Sequence, residues 1–196
     1  MSSVAVVTQP RRVLADTVPA SLLANTLLVI GAAALVGLLA QVSIPLGFTP
    51  VPITGQTLGV LLAGSALGWR RAGLAMSVYV IAGMAGLPWF ANHASGYAMA
   101  TFGYLVGFVI AGSALGWLAS RGSDRTVTRA VLSMVAGEVI IFAIAVPWLA
   151  MSLHVSLAKA IALGFTPFIA GEFIKAALAG VALPSAWRLV DRTTNR

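Results

Sequence analysis

Long apolar runs, broken by short polar or proline-rich stretches, make up most of this sequence. An α-helix that crosses a bilayer needs about 20 mainly apolar residues. Runs of that kind predict six spanning helices joined by short connections. Their bounds are 22–42, 54–69, 72–87, 98–119, 129–150 and 167–189. Residues 151–166 are expected to contain a further short amphipathic helix.

Two stretches between these runs are not expected to be helical. The first, IPLGFTPVPI at 44–53, contains three prolines, each of which removes a backbone donor and pushes the preceding residue away from helical geometry. It is expected to be extended or re-entrant, held where protein or a wet cavity satisfies its backbone. The second, LPWFANHASGY at 87–97, is expected to form a loop at the same face.

The composition supports an integral membrane protein. Hydrophobic residues make up 59% and charged residues only 9% of the 196-residue chain, against about 25% charged residues in soluble domains. A single membrane domain is predicted over 1–196, with an N-terminal tail at 1–21, a bundle at 22–189 and a C-terminal tail at 190–196. The net charge of +7 does not indicate nucleic-acid binding, because the basic residues are not clustered with aromatic ones.

The basic residues indicate how the bundle is oriented. With six spans and a cytoplasmic N-terminus, ten of the twelve Lys and Arg residues fall on the cytoplasmic side, as the positive-inside rule requires. These ten are Arg11, Arg12, Arg70, Arg71, Arg121, Arg125, Arg129, Arg188, Arg192 and Arg196. Both termini are therefore predicted to be cytoplasmic, in an all-α bundle of six transmembrane helices.

The motif AGSALGW occurs twice, at 63–69 and 111–117. Its small residues suit close helix packing, and a tryptophan followed by arginine suits the inner membrane boundary. A duplicated ligand site is the alternative interpretation. The structural interpretation is favoured, so the function is expected at the opposite face.

The strongest candidate for chemistry is GEFIKAALAG at 171–180. Glu172 and Lys175 are three residues apart and share one helix face. Ionisable groups at membrane depth cost about 3 kcal/mol each to insert and normally face a cavity or one another. The pair therefore predicts either a polar ligand pocket or a packing ion pair.

Further polar candidates lie near the same face. Gln56 follows the proline-rich stretch, and Asn92 and Tyr97 lie in the second loop. Glu138 is expected in the inner half of the fifth span, away from the pocket, either as a coupling group or as a hydrogen-bonding partner for helix packing.

An enzyme is not expected. Ser95-Gly96 lies in a motif like that of intramembrane serine proteases, but no histidine in the last span can activate it. The chain contains no cysteine, no cluster of metal ligands and no phosphate-binding loop. Neither a metal nor a cofactor is therefore predicted.

The run AQVSIPLGFTPVPITGQTLGVLLAG (40–64) resembles the signature of BioY, the biotin-specific substrate-binding (S) component of energy-coupling factor (ECF) transporters. The resemblance continues through AGMAGLPWFA (82–91), GYLVGFVIAG (103–112) and GEFIKAALAG. It implies a six-helix fold with a biotin pocket near the outer face. It also implies that Asn92, Glu172 and Lys175 bind the ureido head group. Phe48, Leu87 and Phe90 are candidates for the apolar walls of the pocket.

The resemblance also implies partners, namely a transmembrane coupling protein and cytosolic ATPases. Ala33 and Gly37 of the first helix are spaced to dock such a partner, with ordinary packing inside the bundle as the alternative. The chain departs from the family in carrying Glu172 where Asp is frequent. It also departs in the run Ala100 to Leu105, which lacks the usual Pro and one Gly.

The sequence therefore predicts a biotin-binding S component in the plasma membrane, which captures biotin outside the cell for ATP-driven import. The alternatives are an S component for another small vitamin, and an ion-coupled secondary carrier with Glu138 or Glu172 as its proton site.

Overall fold

The computed structural model describes residues 12–194, which form a helical bundle. Arg11, Arg196 and the ends of both predicted tails lie outside the described residues. Within that range there are seven α-helices and one two-stranded antiparallel ladder. The helices are α1 (Leu22–Gln41), α2 (Gln56–Leu67), α3 (Trp69–Met84), α4 (Phe102–Ala119), α5 (Val127–Leu153), α6 (Leu157–Gly164) and α7 (Ile169–Thr194).

The bundle has the apolar exterior of a membrane protein. Four helical segments of the described chain are long and apolar enough to cross a bilayer: α1, α4, α5 and the stretch 157–193. α1 exposes large apolar side chains, including Leu22 at 85% and Leu38 at 70%. In water, a contiguous apolar surface of this kind marks an interaction site. Here it is the surface that lipid covers.

The helix bounds differ from the predicted ones where two helices meet. α2 ends at Leu67 and α3 starts at Trp69, with only Gly68 between them at a φ of +79°. Glycine populates such positive φ values without steric penalty. Trp69 therefore begins α3 and does not close α2. α7 continues to Thr194, beyond the predicted bundle boundary at 189.

The two AGSALGW motifs pack against each other. A Cβ on Gly64 would lie 3.1 Å from the Cα of Gly112, and one on Gly116 would overlap the main chain of Gly68 and Trp69. The prediction of close helix packing is thus confirmed, with α2 and α4 as the two partners. The two identical motifs nevertheless differ in structure. The helix of the first copy ends at Leu67, whereas the second copy stays helical through Trp117 to the end of α4 at Ala119.

Arginines and tryptophans pair at the end of the bundle where α2, α4 and α7 terminate. The guanidinium of Arg125 lies 3.4 Å from the centre of the Trp187 ring, and that of Arg121 lies 3.3 Å from Trp117. The Trp187 indole donates a hydrogen bond to the buried carboxylate of Asp124. Cation–π contacts of this kind suit a boundary between an apolar region and water.

The proline-rich stretch lies at the opposite end. It connects β1 (Ser43–Ile44) to β2 (Ile53–Thr54), which pair as a short antiparallel ladder. The hydroxyl of Thr49 donates to the carbonyl of Leu163 at 2.9 Å, which ties this stretch to α6. The expectation of an extended segment folded back onto protein is confirmed, as is a short helix within 151–166.

The expected docking residues of α1 require a correction. Ala33 is 0% exposed, and Gly37 faces the ring of Trp89, where a Cβ would lie 3.1 Å away. Both positions therefore face the interior of the bundle, so they cannot form an exposed docking face. Ordinary packing between α1 and the bundle accounts for them.

Candidate functional site

A buried cluster of charged and polar groups connects α7 to the start of α2. The ammonium of Lys175 lies 2.8 Å from Oε1 of Glu172, and it also donates to the Thr57 hydroxyl at 2.9 Å and the Thr54 carbonyl at 2.6 Å. A lysine ammonium has three donors, so all three are used. The first two turns of α7 therefore form this cluster with the end of β2 and the first turn of α2.

Glu172 is held by two different donors. Its Oε2 accepts the Thr57 hydroxyl at 2.6 Å while its Oε1 accepts Lys175. Glu172 is only 8% exposed and Thr57 only 6% exposed. A buried carboxylate needs such partners to remain ionised. The arrangement presents an oriented, charged acceptor within an apolar bundle.

A second buried network lies beside the first. The Gln56 amide donates to the Tyr79 hydroxyl at 2.6 Å, and the Thr54 hydroxyl donates to Oε1 of Gln56 at 3.0 Å. The Trp89 indole in turn donates to the Tyr79 carbonyl at 2.9 Å. The network fixes the orientation of Gln56 and links the two loops at this end of the bundle.

Gln41, at the end of α1, holds the second loop in place. Its amide nitrogen lies 3.1 Å from the carbonyl oxygen of Trp89, 3.3 Å from that of Phe90 and 3.0 Å from that of Gly37. Sequence reasoning missed both Gln41 and Tyr79. The one signal that could have found them is a polar side chain within an apolar stretch of helix.

These networks border a cavity of about 270 Å³. Its polar lining includes Thr54, Gln56, Thr57 and Glu172, and its apolar walls include Phe90, Phe108, Phe142 and Phe168. Small-molecule sites combine mainly apolar walls with a few convergent polar groups. The cavity thus has the general character of a site for a small, partly polar molecule.

Asn92 lines the same cavity from the second loop. Its backbone is left-handed, with φ 58° and ψ 36°, a region that asparagine tolerates better than most residues. Its side chain makes no hydrogen bond to any described residue, and the residue is exposed. The amide of Asn92 is therefore available to a ligand.

The structure brings most of the sequence-predicted site residues together. Gln56, Phe90, Asn92 and Glu172 line the cavity, and Lys175 lies behind Glu172 without lining it. Tyr97 is 67% exposed and is not part of the lining. Two expected wall residues, Phe48 and Leu87, are likewise exposed and outside the lining.

Glu138 lies outside the cavity lining, yet next to one of its members. It is 7% exposed on α5, and its carboxyl is close enough to that of Glu172 for a hydrogen bond to form if one of the two carried a proton. The sequence did not predict this proximity to Glu172. Residues 34 positions apart in the chain meet because α5 packs against α7.

Comparisons with a family model and with individual proteins point to the same family. The BioY family model matches residues 11–192. The chain is 34% identical over 155 residues to the "Biotin transporter BioY" of Rhizobium etli, covering 74% of this chain and 81% of that protein. It is 38% identical over 145 residues to the protein of the same name from Thermotoga maritima, covering 72% and 83%.

The fold also matches a solved structure. The crystal structure of the S-component for biotin from an ECF-type ABC transporter superimposes with a TM-score of 0.76 at 21% identity. The match covers 85% of this chain and 92% of the other. At that identity the match shows a shared fold.

Proposed function

We propose that this chain, which belongs to the BioY family, is a biotin-binding S component of an ECF-type uptake transporter. The observation that carries the proposal is the buried carboxyl of Glu172, held by Lys175 and Thr57 at the wall of a mainly apolar cavity. The relatives compared above are named as biotin transporters, not as enzymes.

The chemistry of biotin fits this cavity. Its ureido ring offers two N–H donors and one accepting carbonyl, and its thiophane ring and valerate methylenes are apolar. The Glu172 carboxylate accepts an N–H, and phenylalanine rings contact the apolar parts. Charge-assisted hydrogen bonds are about twice as strong as neutral ones, so Glu172 supplies most of the polar recognition.

Asn92 and Lys175 divide the remaining work. The exposed Asn92 amide has no hydrogen-bond partner among the described residues, so it donates to the ureido carbonyl in exchange for water and without breaking a bond to the protein. Lys175 already uses its three donors, and it acts by holding the Glu172 carboxyl in its orientation. Gln56 supplies a further amide at the cavity wall.

The proposal includes six spans, cytoplasmic termini and a location in the plasma membrane. Arg–Trp pairs at one end and the cavity loops at the other support a cytoplasmic and an outer face, respectively. The proposal also includes a transmembrane coupling protein and cytosolic ATPases that drive import, which is supported by the fold shared with the S-component of an ECF-type ABC transporter.

The direct test is biotin binding to the purified chain in detergent. Lys175→Ala removes one partner of a buried pair, which costs about 3 kcal/mol, or on the order of 100-fold in Kd. Lys159→Ala is the matched control, because Lys159 is exposed on α6. It is expected to bind as the unaltered chain does.

Biotin analogues test the assignment of the ligand. An analogue that lacks the ureido carbonyl is expected to bind much more weakly than biotin. If that analogue binds equally well, the cavity serves another small vitamin. Unchanged affinity in Lys175→Ala would refute the proposed site.

A further inference from the structure

The carboxyl of Glu138 is a buried acid that the proposed binding chemistry does not use. It is 7% exposed, and neither of its oxygens has a hydrogen-bond partner in the described part of the chain. An ionised carboxylate without partners is very costly in an apolar interior. The position therefore needs an explanation beyond packing.

The charged groups around Glu138 are few. α2, α4, α6 and α7 pack against α5. α7 presents Glu172 and Lys175, α4 carries only Tyr104 as a titratable side chain, and α2 carries none. Lys159 of α6 is exposed, and Arg129 lies nine residues earlier on α5. Two buried acids thus share one half-buried amine.

Hydrogen bonding distinguishes the two acids. Glu172 accepts from both Lys175 and Thr57, so each of its two oxygens already has a donor. Glu138 accepts from no described group, yet its carboxyl lies within hydrogen-bonding reach of Glu172. Two ionised carboxylates cannot hydrogen-bond to each other, whereas an acid and a carboxylate can.

We propose that Glu138 is a proton-bearing positioning residue, whose neutral acid donates to Glu172 and keeps it in place as the acceptor of the ligand. Binding is consequently linked to a proton. The inference rests on the proposed function, since the proton linkage is measured through the affinity for biotin.

The sign of the pH dependence follows from the charge count. With Glu138 protonated, the cluster of Glu138, Glu172 and Lys175 is neutral overall, and the ammonium of Lys175 pairs with Glu172 alone. When Glu138 releases its proton to solvent at alkaline pH, its charge repels Glu172 and competes for Lys175. Affinity is therefore highest at acid to neutral pH and falls as pH rises, by up to about tenfold per pH unit for one linked proton.

The test compares the unaltered chain with Glu138→Gln, whose amide imitates the neutral acid. Biotin Kd is measured from about pH 6 to about pH 9. The unaltered chain is expected to lose affinity at the alkaline end, and E138Q to bind with a flat profile within about threefold of the acid-side Kd of the unaltered chain. Asp191→Asn, at an exposed acid of α7, is the matched control and keeps the alkaline loss.

Infrared spectroscopy provides a readout that needs no ligand. The absorption of a protonated carboxylic acid is expected at neutral pH in the unaltered chain and in Asp124→Asn, and is expected to be missing in E138Q. If E138Q does not fold, the pH dependence of Kd and the infrared band of the unaltered chain still test the proposal. A Kd that does not change with pH, or no protonated acid at neutral pH, overturns the proposal.

The remaining outcomes separate the two proposals. An alkaline loss that persists unchanged in E138Q comes from a different group and overturns the role of Glu138, while the biotin site stands. No biotin binding at any pH refutes the proposed function instead, and the infrared band then decides whether Glu138 holds a proton.

Discussion

The contact between the two AGSALGW motifs makes a quantitative prediction. In Gly116→Ala, the new methyl group would overlap the main-chain carbon of Gly68 and nitrogen of Trp69, and would lie 2.8 Å from the Gly68 carbonyl oxygen. Main-chain atoms cannot rotate away as a side chain can. The α2–α4 contact has to open, or the first turn of α3 has to shift.

The size of the effect follows from a matched control. Gly31→Ala, on the exposed side of α1, places its methyl where nothing lies within 4 Å. Both changes carry the same gain of about 1 kcal/mol in helix propensity, so their difference isolates packing. Overpacking costs about 1–3 kcal/mol. We expect about 2–3 kcal/mol here, because the overlap is with main chain.

The assay is thermal unfolding of both purified variants in one detergent at one scan rate. For a chain of this size, 1 kcal/mol corresponds to about 2–4 °C in Tm. Gly116→Ala is therefore expected to melt about 5–10 °C below Gly31→Ala. Equal melting temperatures would show that the two motifs do not pack as the structure has them.

Two further predictions concern the arginine-rich end of the bundle. Burial raises the pKa of Asp124, against the opposing effects of the Trp187 hydrogen bond and the Arg125 charge. An acid whose pKa is higher in the folded state stabilises the fold at low pH, and this stabilisation is lost as pH rises from the unfolded-state pKa, about 3.9, through the folded-state value. Asp124→Asn, which keeps an oxygen for the indole, is expected to flatten this decline in Tm measured across pH. The second prediction concerns topology. In a chain without cysteine, Arg70→Cys is expected to resist a membrane-impermeant thiol reagent added to intact cells, whereas Ser95→Cys reacts. Labelling of Arg70→Cys from outside would reverse the proposed orientation.

Several features of the site followed from the sequence. An acid and an amine at i and i+3 in an apolar helix are too costly to face lipid, so Glu172 and Lys175 indicated the candidate site from the sequence alone. Gln56 at the start of the second helix, and Phe90 and Asn92 in the second loop, are predicted from the sequence and do line the cavity. Tyr97 was selected for the same reason but lies outside it.

The apolar pattern alone determined that this chain is a bundle of membrane helices, because a run of about 20 apolar residues matches the length of a helix that crosses the hydrocarbon core of a bilayer. It could not determine which side of each helix faces inward. In water, polar residues mark the outer face, but in a bilayer both the lipid and the bundle interior are apolar. Only the tertiary structure placed Ala33 and Gly37 inside and brought Glu138 to Glu172. Such contacts between distant segments depend on how the helices pack, and residue spacing within one helix does not encode them.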